Sequence, residues 1–177
     1  MKHLIQFAMA ALLCALAFGQ DRPEVPDSLK APDGEKVLLH AHAAGVQIYV
    51  CKVDSDQGAS WVLKAPEAKL TDATGKTIIY HAAGPSWKHI DGSEVIGKVV
   101  AKQDAPKPGA IPWLLLSAAS HTGAAGNGIM LRVTTIQRVY TSGGVAPEAS
   151  ECAASAKDKE SRVPYTADYY FYAPTRK

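Results

Sequence analysis

Gly45-Val46-Gln47-Ile48-Tyr49-Val50-Cys51-Lys52-Val53 is the stretch that decides the fold class. Val46, Ile48 and Val50 recur at every second position, with Tyr49 and Val53 adding further β-forming side chains. A period of two therefore describes the segment better than the 3.6 of a helix. The reading is a strand with one fully apolar face.

The same period recurs on both sides. Shorter strand candidates lie at 37–43, 61–64, 76–81, 94–102 and 113–117, followed by a Val/Thr/Ile-rich run at 129–140 and a tyrosine-rich run at 165–172. Turn-forming residues fall between them: Asp33-Gly34, Ala44-Gly45, 54–58, 72–75, Asp91-Gly92, 106–112 and Gly143-Gly144. Only residues 148–159, alanine-rich and following Pro147, suit a short helix. Eight or more closely spaced strands predict an all-β fold, an antiparallel β-sandwich or barrel-like structure with at most one short helix.

The 177 residues, 47% of them hydrophobic, suffice for one domain with a core and are too few for two ordinary ones. Nineteen Lys+Arg against 17 Asp+Glu give +2, which argues against nucleic acid or an anionic membrane surface as partner.

Lys2 and His3 precede an almost uncharged run over 4–18, and the small residues Ala15, Ala17 and Gly19 lead into polar Gln20, Asp21 and Arg22. This order predicts a signal peptide over residues 1–19, and the run is too short for a retained membrane span. Residues 20–35, with Pro23, Pro26 and Pro32, are expected to be an extended, poorly ordered leader, and 36–177 a single β domain. Processing removes Cys14 and leaves Cys51 and Cys152, which in a secreted or periplasmic protein read as one disulfide. Closing a loop of roughly a hundred residues stabilises a fold by about 4 to 5 kcal/mol on chain-entropy grounds.

Common catalytic signatures fail in specific ways. Gly75-Lys76-Thr77 resembles the end of a phosphate-binding loop, but Leu70 stands where its first glycine is needed. Gly123-Ala124-Ala125-Gly126-Asn127-Gly128 reverses the dinucleotide spacing and leads into a strand-forming run. Neither a G-x-S-x-G elbow nor an H-E-x-x-H helix occurs. Ser93, His81 and Asp91 contain the residue types of a hydrolytic triad, but sit too close in sequence to presume its geometry.

Two sets of candidate residues remain. His40 and His42 alternate on a strand, which places both imidazoles on one face about 6 to 7 Å apart. That spacing suits copper or zinc if His81, His89 or His121 supplies a third ligand; the other reading is a solvated strand face. The second set centres on Tyr80-His81-Ala82-Ala83-Gly84-Pro85-Ser86-Trp87, with Asp91-Gly92-Ser93 beyond it. A turn at Gly84-Pro85 would present His81 and Trp87 to a common space, with Asp91 as a charged acceptor. Packing explains the same residues with Trp87 in the core, His81 bonded to a loop and Asp91-Gly92 in a tight turn. Trp113, in Ile111-Pro112-Trp113-Leu114-Leu115-Leu116, belongs to the most hydrophobic stretch after the leader and reads first as a core strand.

Five ordered blocks resemble a secreted bacterial and fungal family, domain of unknown function 3455. They are 45–51, 81–87 with 91–93, 111–115, 136–147 with Cys152, and 163–172. The resemblance implies one secreted all-β domain and brings no established active site. His40 and His42 lie outside its blocks. The expected function is a non-catalytic, disulfide-stabilised domain, structural or binding a small molecule or glycan around His81, Trp87, Asp91 and Trp113, without a cofactor. The alternative is copper or zinc binding through His40 and His42.

Overall fold

The alternation around Gln47 runs much farther than one short strand. In a computed structural model, which describes residues 22–54, 58–123 and 126–175, it belongs to the 20-residue β1, Glu35–Asp54. The expected break at Ala44-Gly45 is absent because Gly45 serves close approach between strands: a Cβ there would lie 2.2 Å from the Glu67 carbonyl oxygen and 2.5 Å from Ala68 Cα. Glycine in mid-strand is thus a packing requirement here, and the chain continues straight through it.

Seven further strands follow: β2 Gly58–Thr71, β3 Thr77–Ala82, β4 Ser86–His89, β5 Glu94–Gln103, β6 Trp113–Thr122, β7 Thr135–Gly143 and β8 Glu160–Pro174. Each pairs antiparallel with the next, and β8 returns to β1, so the sheet closes into an eight-stranded up-and-down barrel. Closure pairs both sides of every strand, removing the exposed edges that an open sheet must protect. Register shifts at Ile48/Tyr49, Ile96/Gly97 and Val139/Ser142 supply the local bends that such a closed ring needs.

Which face of β1 turns inward differs from the simplest reading of its sequence. Ala41 and Ala43 are buried in the main core, and period two carries that inner face through Gly45 to Gln47. Gln47 is 2% exposed, whereas Val46 and Val50 are only half-buried. The wholly apolar face is therefore not the innermost one.

Inside the barrel, Trp87, Tyr169 and Phe171 pack with Leu70, Ile79, Val95, Leu116 and Ile136. A Cβ at Gly97 would come within 2.8 Å of the Trp87 ring, so this glycine provides the space that the indole fills. A second, smaller cluster lies on the outer face, where Leu29, Trp113 and Val139 pack together. Residues 22–34 are irregular apart from the 3₁₀ turn Asp27–Leu29, yet they are anchored rather than loose. Leu29 is fully buried, its carbonyl accepts a 2.6 Å bond from Gln137 Nε2, and Arg22 donates to the Ala31 carbonyl.

The expected helix over 148–159 is replaced by two 3₁₀ turns, Ala149–Glu151 and Ala154–Ala156. Cys152 between them has an extended backbone and bonds Cys51, with the Cα atoms 5.3 Å apart. A 12-residue helix is marginal without tertiary support, and the disulfide tethers this segment to β1 in another conformation. Likewise, the run expected as one strand over 129–140 begins with the 3₁₀ turn Ile129–Arg132, and β7 starts only at Thr135. The signal peptide expected over 1–19 lies outside the described residues.

Candidate functional site

Inward-facing side chains leave a cavity of about 280 Å³ at one end of the barrel. Every strand contributes to its wall: Gln47, Leu63, His81, Trp87, Val99, Leu114, Arg138 and Tyr169 come from β1 through β8 in order, with Leu63 and Val99 about half-exposed at its open mouth. The β3–β4 turn, Ala83, Gly84 and Pro85, forms part of the rim. An eight-stranded barrel has an interior just wide enough to be filled by side chains or to hold one small ligand.

The β3–β4 hairpin brings two expected residues together. His81 and Trp87 are register partners, and their rings stack with centroids 4.6 Å apart and planes 6° from parallel. Tyr169 meets both edge-on, at 5.4 Å from His81 and 5.6 Å from Trp87. His81 Nδ1 lies 2.8 Å from the Ser86 carbonyl oxygen, and since only an N–H can satisfy that oxygen, Nε2 is the acceptor nitrogen of a neutral ring. Burial pushes the imidazole down to about 4; the Ser86 carbonyl opposes this shift and the Arg138 charge reinforces it.

Three residues that sequence reasoning did not single out complete the site. Arg138 sits between Leu114 of β6 and Tyr169 of β8 in the strand register. Its Nε and Nη2 donate to one acceptor, the Pro112 carbonyl, at 3.2 and 2.8 Å. Gln47 Nε2 and Trp87 Nε1 are buried without a hydrogen-bond partner among the described residues, while the Tyr169 hydroxyl lies against Arg138 and Tyr165. Burial raises the Tyr169 phenol, Arg138 opposing, so it remains a protonated donor. The available signal was positional: Arg138 lies two residues beyond Ile136 on the inner face of β7, where a charge is unusual, and Gln47 interrupts the inner face of β1.

The other two expected contact residues lie elsewhere. Asp91 is in the β4–β5 turn, at the end of β4 opposite Gly84-Pro85. Its carboxylate accepts bonds from Ser93 N and Oγ and from Ile129 N at 2.6–2.9 Å, while Ser93 Oγ accepts from Met130 N at 3.1 Å. These bonds clip the 3₁₀ turn Ile129–Arg132 over the far end of the barrel. Desolvation pushes the Asp91 carboxyl upward, yet the bonds from Ser93, Ile129 and His89 outweigh it and hold the group well below the usual carboxylate range. The carboxylate next to Ser93 faces His89, at 3.1 Å, while His81 is engaged with Ser86. Trp113 packs on the outside of the barrel, under Leu29 and edge-on to Tyr140 at 5.2 Å.

His40 and His42 occupy the outer face of β1. Both approach Asp168 Oδ1, at 3.6 and 2.8 Å, and His40 stacks on Tyr170. Desolvation opposes ionisation of Asp168, but the two histidines outweigh it and lower its pKa. The histidines considered as third ligands are engaged elsewhere: His81 with Ser86, His89 with Asp91 and His121 with the Val133 carbonyl. Among the described residues, no group of three or more His, Cys, Asp or Glu side chains is arranged to hold a metal. No described helix is long and apolar enough to cross a membrane.

Neither a curated protein nor a solved structure matches the chain significantly. The family described as protein of unknown function DUF3455 matches residues 32–173, and the chain belongs to that family.

Proposed function

We propose that this chain is an exported, non-catalytic binding protein whose barrel lumen takes a small molecule. The observation that carries the reading is the cavity walled by all eight strands, apolar along Leu63, Val99, Leu114, Leu116 and Trp87 and set with a few inward polar groups. Small-molecule sites generally combine a concave apolar wall with sparse, placed polar groups. Export is supported by the hydrophobic run over 4–18 and by the Cys51–Cys152 disulfide, a bond that persists in oxidising compartments.

Screening the oxidised, processed protein against small metabolites and glycans by tryptophan fluorescence and thermal shift tests this reading. A saturable binder whose signal is lost in a folded Trp87→Phe variant supports it. A panel without a binder, or a binder indifferent to lumen substitutions, leaves His81 and Trp87 as packing residues only.

A further inference from the structure

Resting on that reading, we infer that the lumen ligand is an apolar monocarboxylate whose carboxylate pairs with Arg138. Arg138 is partly buried, so its guanidinium is partly withdrawn from water and gains from a counter-ion. Arg138 lines the cavity, and its partners are neutral: Nε and Nη2 donate to the Pro112 carbonyl, and the side chain also reaches the Tyr169 hydroxyl. No Asp or Glu oxygen lies within ion-pair distance of it among the described residues. The other lysine or arginine on the cavity wall, Lys64, is already paired with Glu160. Among the described residues, Arg138 therefore faces the cavity without a carboxylate partner.

Among the described residues, Gln47 Nε2 and Trp87 Nε1 are buried without a hydrogen-bond partner but have almost no exposed surface, so the Arg138 guanidinium carries the recognition. A guanidinium complements a carboxylate through its fork of N–H donors. The remainder of the wall is hydrocarbon and aromatic, which selects an apolar body and disfavours a strongly hydrated anion. At about 30 Å³ per water-sized group, 280 Å³ holds about nine such groups, the scale of a medium-chain or single-ring acid.

The test compares octanoate with octan-1-ol on the oxidised protein by calorimetry and Trp87 fluorescence. Octanoate should bind about tenfold to a hundredfold more tightly, the range of a charge-assisted pair. Arg138→Gln should bring the ratio close to one, and Arg138→Lys should restore part of it. Equal affinities in the native protein, or a ratio unchanged in Arg138→Gln, overturn the counter-ion assignment while leaving lumen binding intact. If neither compound binds, the monocarboxylate assignment fails, and lumen binding is decided by the metabolite and glycan screen. The native comparison decides the matter even if Arg138→Gln does not fold.

Discussion

His81 and Trp87 lie face to face across the β3–β4 hairpin, 4.6 Å between ring centroids, so a titratable ring forms part of the barrel's aromatic core. The stack is buried, with Trp87 1% exposed, and a proton on His81 would place a charge there. The same geometry thus supplies both the cavity wall and a pH-sensitive element of stability.

Because the folded imidazole titrates near 4 and an unfolded one near 6.5, the unfolded chain binds the extra proton first. Its contribution to stability is complete above pH 6.5 and declines by about 1.4 kcal/mol per unit as pH falls toward 4. Chemical denaturation between pH 7 and 4 should therefore show a loss of about 3 kcal/mol, and His81→Gln should remove most of that slope. The depressed carboxyls of Asp91 and Asp168 act below this window, as pH falls through the acid range.

Cys51 and Cys152 are 101 positions apart and join β1 to the excursion between β7 and β8. The Cys51→Ala/Cys152→Ala variant should lose about 4 kcal/mol of unfolding free energy. Its far-ultraviolet circular dichroism in native buffer should stay that of a β protein, since the barrel closes through β1–β8 pairing independently of the bond.

Asp91 is placed to hold the far cap of the barrel, away from the cavity. Asp91→Ala removes the acceptor for Ser93 and Ile129 and should cost about 2 to 3 kcal/mol. The affinity of any lumen ligand should be unchanged in this variant at a temperature where it remains folded. An affinity lost in proportion to the Trp87 variant would instead place Asp91 in the binding site.

The outer cluster yields a separate expectation. Leu29→Ala should destabilise the protein by about 2 to 5 kcal/mol, because the side chain fills a closed slot beside Trp113 and Val139. Trp113 emission should shift to the red as its cover loosens, a change that Trp113→Phe would abolish.

The all-β class was legible because strand periodicity is a local property: the run around Ile48, the Val/Thr/Ile run entering β7 and the tyrosine run of β8 are strands wherever they pack. Barrel closure was not, since it depends on β8 returning to β1 in register, Glu35 opposite Pro174 and Val50 opposite Glu160. The pairing of His81 with Trp87 was accessible from the Gly84-Pro85 turn between them. Asp91 and Trp113 fell outside the cavity for reasons of direction: Asp91 lies at the other end of β4, and Trp113 alternates with the inward Leu114. Arg138 and Gln47 acquire their meaning only once the inner face of each strand is known, because the same residues facing outward would be ordinary surface groups.

The most direct measurement is a titration of the three tryptophan indole N–H resonances with octanoate, assigned through Trp61→Phe, Trp87→Phe and Trp113→Phe. Trp87 lines the cavity, Trp61 donates to the Glu148 carbonyl and Trp113 lies beneath Leu29. Lumen binding predicts a saturable shift of the Trp87 resonance with the other two nearly stationary. A stationary Trp87 resonance at saturating octanoate, or shifts confined to Trp61 and Trp113, would contradict it.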